Sequence, residues 1–170
     1  MNNTMRIILS AALMASLAAC SKKVKEEAPV ATPEPTKTET PAVTDNGKYG
    51  PEDLDTDSCL RQRVVYFDFD KAEIRAEAQA ILACHGKYLT DRPSAAITLE
   101  GHADERGTRE YNVALGERRG NAVSAAVQGS GGSGSQITVT SLGEERPTCL
   151  DSTEDCWSKN RRVEISYSSK

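Results

Sequence analysis

Hydrophobic and polar positions follow two different periods along this chain, and together they lay out a small folded domain. Arg61-Gln62-Arg63-Val64-Val65-Tyr66-Phe67 is rich in β-branched and aromatic residues and predicts a strand that ends at Asp68-Phe69-Asp70. Ile74, Ala78, Ile81, Leu82, His85, Tyr88 and Leu89 then recur at intervals of three and four, as in an amphipathic helix, until Asp91-Arg92-Pro93 stops it. His85 lies on that apolar stripe and is expected in the core. Ala96-Ile97-Thr98-Leu99-Glu100 reads as a second strand, residues 101–107 as a polar loop, and Thr108 as the N-cap of a second helix running to Val127 or Gln128. Residues 129–135 are all Gly or Ser and read as a flexible hinge. Residues 137–142 and 162–167 alternate as strands, with a loop holding two cysteines between them. The order β-α-β-α-β-β predicts an α+β two-layer sandwich, a small mixed sheet with its helices on one face.

Upstream of this domain, taken as residues 58–170, the pattern disappears. Residues 20–57 carry Pro29, Pro33, Pro35, Pro41 and Pro51 among Thr, Glu, Lys and Ala, too few large apolar groups to form a core. The segment is expected to be an extended tether with a reach on the order of 100 Å. Residues 1–19 look like a signal peptide, with Arg6 the one charge before the apolar run 7–19. Those 13 residues fall short of the ~20 that a helix needs to span a bilayer core. Leu17-Ala18-Ala19-Cys20 resembles a bacterial lipobox, which would make Cys20 the lipidated first residue of a mature lipoprotein. Ser21 in second position, rather than Asp, favours outer-membrane localisation with the domain in the periplasm.

An exported chain changes the reading of its cysteines. Apart from Cys20, an even set of four remains, expected to form two disulfides in an oxidising compartment. Three pairings are possible, and proximity favours Cys59 with Cys84 and Cys149 with Cys156. No C-x-x-C occurs, which argues against a zinc site, and no metal or other cofactor is expected. The net charge of -4 gives no basic footprint for nucleic acid, which is therefore a poor candidate partner.

Two clusters carry candidate chemistry. Phased at about 100° per residue from Leu115, the second helix turns Tyr111, Ala122, Val123 and Ala126 inward, with Arg119 nearer the centre of that stripe than Arg118. A buried arginine needs a carboxylate or carbonyl partner, and an internal ion pair with Asp68, Asp104 or Glu117 is the structural alternative to a ligand. The loop Gly101-His102-Ala103-Asp104-Glu105-Arg106-Gly107 lies at a helix N-terminus, where anions are favoured. Its acidic and imidazole groups leave open a solvated turn, a metal held by His102, Asp104 and Glu105, or a hydrolase using the same groups. Against catalysis, neither H-E-x-x-H nor G-x-S-x-G appears, so the chain is read as a binding protein rather than an enzyme.

Five segments together carry a resemblance. They are Val65-Tyr66-Phe67-Asp68-Phe69-Asp70-Lys71, Leu99-Glu100-Gly101-His102-Ala103-Asp104-Glu105-Arg106-Gly107-Thr108, Tyr111-Asn112-Val113-Ala114-Leu115-Gly116-Glu117-Arg118-Arg119, Gly143-Glu144-Glu145-Arg146-Pro147 and Asn160-Arg161-Arg162-Val163. They resemble the OmpA-like peptidoglycan-binding domain and, within that family, its peptidoglycan-associated lipoprotein (Pal) branch. The resemblance implies non-covalent binding of peptidoglycan through the diaminopimelate of the stem peptide, linking outer membrane to cell wall within the Tol-Pal system, with a TolB-like periplasmic propeller protein as a second partner. It implies that Asp104 accepts the ligand ammonium and Arg119 holds a carboxylate, with Asp68, Phe67, Thr108, Asn112 and Leu115 bordering or orienting the pocket. The readings that compete with it are a peptidoglycan hydrolase and an envelope adaptor that binds only proteins. From Thr108 to Arg119 a helix rises about 16 Å, so Asp104 can share a ligand with Arg119 only if the loop folds back along the helix or the ligand is long.

Overall fold

Strands and helices form where the two periods place them, and a computed structural model describes residues 47–170. The signal peptide, Cys20 and most of the expected tether lie outside the described residues. In chain order the elements are α1 (Asp53–Thr56), β1 (Val64–Tyr66), α2 (Ala76–Asp91), β2 (Ala96–His102), α3 (Arg109–Gly129), β3 (Ile137–Gly143), α4 (Glu154–Asn160) and β4 (Arg162–Ser169). The sheet order is β1-β4-β2-β3, with β4 antiparallel to both neighbours and β2 parallel to β3. β2-α3-β3 is therefore a crossover unit between adjacent parallel strands, while β4 inserts between β1 and β2.

Alternation along the strands decides which face is dry. Val65, Ile97, Leu99, Val163 and Ile165 are buried and join Leu82, Tyr88, Leu89, Val123 and Val127 from α2 and α3 in one core. His85 is fully buried there. Its Nε2 lies 3.0 Å from the Gln62 carbonyl, which can only accept, so Nε2 carries the proton and Nδ1 accepts from the Tyr167 hydroxyl at 2.7 Å. α3 sits close on the sheet because Gly101 faces Gly116: a Cβ on Gly101 would stand 2.0 Å from the Gly116 carbonyl oxygen. That contact fixes where the middle of α3 lies along β2.

The folded unit takes in residues that the sequence assigned to the tether. Tyr49 and Leu54 are buried in the core, and the Asp57 carboxylate accepts from the backbone N–H of Cys59 and Leu60. The expected hinge is instead a well-bonded turn. Gly132 N–H donates to Val127, and the buried Gln136 amide donates to the carbonyls of Leu89, Arg92 and Ala95. Cys59 is bonded to Cys84, tying the approach to β1 onto α2, and Cys149 to Cys156, closing the loop into α4.

Candidate functional site

β2 ends at His102, and the chain then runs beside α3 rather than away from it. Two side chains of α3 hold it there. Asn112 donates to the Asp104 carbonyl at 3.1 Å, and Arg119 Nη1 donates to the His102 carbonyl at 2.7 Å. The loop therefore folds back along the helix, which brings Asp104 and Arg119 to one cleft despite the length of helix between Thr108 and Arg119. The cleft has a volume of about 210 Å³, and its walls include Phe69, Asp70, Asp104, Arg106, Tyr111 and Arg119.

Arg119 is fully buried, and no carboxylate among the described residues pairs with it. The alternative of an ion pair with Asp68, Asp104 or Glu117 is not what forms. Its Nε, Nη1 and Nη2 each donate to a backbone carbonyl, of Lys71 at 2.8 Å, His102 at 2.7 Å and Asp68 at 3.1 Å. A guanidinium has five N–H groups, so two have no acceptor among the described residues, and the side chain lines the cleft. Its underside rests on the Phe67 ring, with 5.3 Å to the centroid. Burial draws the guanidinium pKa well below its ordinary value, to about 10, against the partial compensation of the Asp104 charge.

Asp104 is also buried, at 4% exposure, but it is heavily countered. Arg106 grips it with Nε at 3.0 Å and Nη2 at 2.7 Å, Arg106 N–H adds a third bond at 3.1 Å, and Arg161 Nη1 approaches from below at 3.2 Å. Burial alone would raise the carboxyl pKa; the hydrogen bonds from Arg106 and Arg161 outweigh it and hold the pKa below its usual value. Arg106 is itself sandwiched between the Phe69 ring at 4.0 Å and the Trp157 ring at 4.2 Å. Trp157 is thus a brace for this loop, its indole N–H donating to Glu105 at 3.0 Å beside the Ser152 hydroxyl at 2.6 Å.

Of the seven residues expected to bind or border a ligand, Asp104, Asn112, Leu115 and Arg119 line the cleft. Thr108 does not; it caps α3, its hydroxyl accepting from Tyr111 N–H. Phe67 lies beneath Arg119 in the core. Asp68 turns its carboxylate outward to Arg75 at 2.6 Å and offers only its carbonyl to Arg119. Their places at the cleft are taken by Phe69 and Asp70, and Asp70 accepts from the Tyr111 hydroxyl. His102, Asp104 and Glu105 do not converge as a metal or catalytic cluster: the His102 ring lies near Glu164, while the two carboxylates face the partners already named.

Residues 66–161 match the OmpA family. The chain belongs to that family. Over 167 residues it is 38% identical to a protein named peptidoglycan-associated lipoprotein from Haemophilus influenzae, covering 98% of this chain and 100% of that one. A namesake from Rhizobium meliloti is 46% identical over 99 residues, 58% of this chain and 56% of its own length. The crystal structure of the peptidoglycan-associated lipoprotein from Burkholderia pseudomallei aligns with a TM-score of 0.66 at 42% identity, covering 68% of this chain and 98% of that one. The C-terminal domain of Helicobacter pylori MotB, at 20% identity and a TM-score of 0.57 over 62% of this chain and 83% of that one, shares the fold.

Within this OmpA-family domain the segment Asn160-Arg161-Arg162 supplies three supports. Asn160 staples the disulfide loop, accepting from Thr148 and Cys149 N–H and donating to the Cys149 carbonyl. Arg161 joins the Phe67 carbonyl, Asp104 and Glu154, and so links β1, the loop and α4. Arg162 binds Glu164 on the far face of the sheet. Among the described residues no helix is long and apolar enough to cross a membrane.

Proposed function

We propose that this chain binds peptidoglycan non-covalently and without catalysis, taking the diaminopimelate of the stem peptide into the cleft between loop 103–107 and α3. The observation that carries the reading is Arg119: a buried guanidinium at the cleft, aimed by three carbonyls, with two N–H groups left over and no carboxylate partner among the described residues. A ligand carboxylate fits that planar fork. The ligand ammonium goes to Asp104, displacing Arg106, which the Phe69 and Trp157 rings can hold to one side. Leu115 and Tyr111 give apolar wall, Asn112 and Thr108 set the loop and helix start, and Phe67 and Asp68 seat Arg119 from below. The names of the relatives support peptidoglycan as the polymer. With Cys20 lipidated in the outer membrane and residues 21–46 as tether, the domain links that membrane to the wall within the Tol-Pal system, with a TolB-like propeller protein as alternative partner.

The test is co-sedimentation of the full chain with purified sacculi. Binding is expected to fall at least tenfold in Asp104→Ala and in Arg119→Met with circular dichroism unchanged, and to be competed by free diaminopimelate but not by lysine. Undiminished binding by both variants would sink the site. Soluble muropeptides released by the chain would sink the non-catalytic reading.

A further inference from the structure

The sheet face opposite the helices carries a second cluster that the cleft does not use. Odd positions of β2, Ile97 and Leu99, face the core, so Glu100 and His102 share the other face, two residues apart. Glu164 on β4 is the direct cross-strand partner of Glu100. One ligand atom from each of Glu100, His102 and Glu164 lies within 4.8 Å of the others, with His102 Nε2 4.0 Å from a Glu164 carboxylate oxygen.

Two features of this arrangement are costly as they stand. Carboxylates directly opposite on paired strands repel. The His102 ring is 2% exposed, and neither of its nitrogens has a hydrogen-bond partner among the described residues, where buried imidazoles normally have at least one. The chain's other histidine, His85, has both nitrogens engaged. Arg162 offsets part of the acidic charge, binding Glu164 through Nε at 2.7 Å and Nη2 at 2.6 Å, but it does not reach either imidazole nitrogen. It also holds the Arg146 and Asn160 carbonyls, so it has acceptors to keep if Glu164 turns away.

We propose that Glu100, His102 and Glu164 form a binding site for a borderline divalent cation of the zinc class. One imidazole nitrogen and two carboxylates give the three-ligand set that leaves a coordination position for water, and the nitrogen donor selects against magnesium and calcium. Glu164, at 35% side-chain exposure, gives the ion its entry path and exchanges Arg162 for the metal on binding. This runs against the expectation from cysteine spacing that the chain holds no metal; the ligands come from two strands whose pairing is not visible in a linear motif.

The full chain, stripped with chelator, is titrated with Co²⁺ followed by visible absorption, then with Zn²⁺ in competition, and Cu²⁺ loading is followed by electron paramagnetic resonance. One equivalent of Co²⁺ displaced by Zn²⁺ is expected, with one imidazole nitrogen coupled to Cu²⁺. Glu100→Gln, which keeps the buried His102 in place, weakens binding at least tenfold, as does Glu164→Gln, and His102→Gln abolishes the nitrogen coupling. Arg162→Gln tightens binding, because it removes the competitor for Glu164. Absence of a one-equivalent site, or Co²⁺ affinity equal to the native chain's in both glutamate variants, overturns the proposal.

Discussion

Replacing Arg119 with Met separates the two things this residue does. Its charge is expensive where it stands: the guanidinium is fully buried, and burial moves its pKa down from its ordinary value to about 10. The penalty applies in full wherever the folded state must carry the charge below that pKa, and fades only as pH rises toward the unfolded value. At neutral pH it is therefore about 3 kcal/mol, at ~1.4 kcal/mol for each tenfold change in proton affinity. Against this relief, Met removes the donors of three carbonyls. The Asp68 carbonyl keeps a bond from Lys71 N–H, so two lose a partner outright, those of Lys71 and His102, at about 1–3 kcal/mol each. The opposing sums nearly cancel, and the expected net loss is about 1–2 kcal/mol. That is well below the roughly 3–5 kcal/mol for breaking a buried ion pair, because no opposite charge is stranded. Urea unfolding followed by Trp157 fluorescence measures it, beside sacculus binding of the same variant. A loss above about 4 kcal/mol, or a chain that does not fold, would refute the reasoning and make Arg119 a structural clamp first.

Gly101→Ala is expected to cost about 3 kcal/mol or more, since its Cβ would meet the Gly116 carbonyl at 2.0 Å and neither backbone can yield without lifting α3; Gly129→Ala, whose Cβ meets nothing, is expected to stabilise by roughly 0.5–1 kcal/mol, and thermal unfolding compares the two. Removing the bond between Cys59 and Cys84, 25 residues apart, is expected to cost about 3–4 kcal/mol in urea unfolding, and removing that between Cys149 and Cys156, 7 apart, about 2–3 kcal/mol, the difference following the size of the closed loop. His85 is held neutral because burial lowers its pKa below 6.5, with the Arg63 charge adding to burial and the Gln62 and Asp57 interactions opposing it. The unfolded chain then takes up a proton that the folded one refuses, so stability in urea unfolding falls as pH drops below 6.5. A His85→Asn variant lacks this component, and the burial of His102, common to both proteins, cancels in the comparison.

What was legible in the sequence was whatever repeats. The apolar periods of residues 74–89 and 137–142 mark a buried and a half-buried face respectively, and helical phase alone puts Arg119 rather than Arg118 inward; Arg118 is exposed. What failed was whatever depends on where a period stops. Alternation through β1 carries Phe67 to the core and Asp68 outward, but the sheet ends there, and Asp70 takes a φ of 57°, so Phe69 and Asp70 leave the alternating pattern and turn to the cleft. α4 has about two turns of mostly polar sequence with only Cys156 and Asn160 buried, too short to show a period. Arg161 and Arg162 are indistinguishable in sequence. Only the strand pairing sends one to Asp104, 57 residues away, and the other to Glu164.

The two charged walls of the cleft are built to different tolerances, and this sets how a zwitterionic ligand would be read. Arg119 is locked by three carbonyls from two separate segments, the turn after β1 and the end of β2, so its free N–H groups are presented in one direction before any ligand arrives. Asp104 faces a cation that can leave: Arg106 is 31% exposed, comes from the same loop, and loses one charge-assisted pair that an incoming ammonium restores. Arg161 remains beneath, so the carboxylate is never stranded during the exchange. Exchange of one cation for another leaves little net Coulomb energy, whereas a carboxylate entering the Arg119 fork would meet donors that no carboxylate among the described residues uses. On this geometry the carboxylate of the proposed ligand would supply most of the affinity, and the ammonium, by having to fit where Arg106 did, would supply the discrimination.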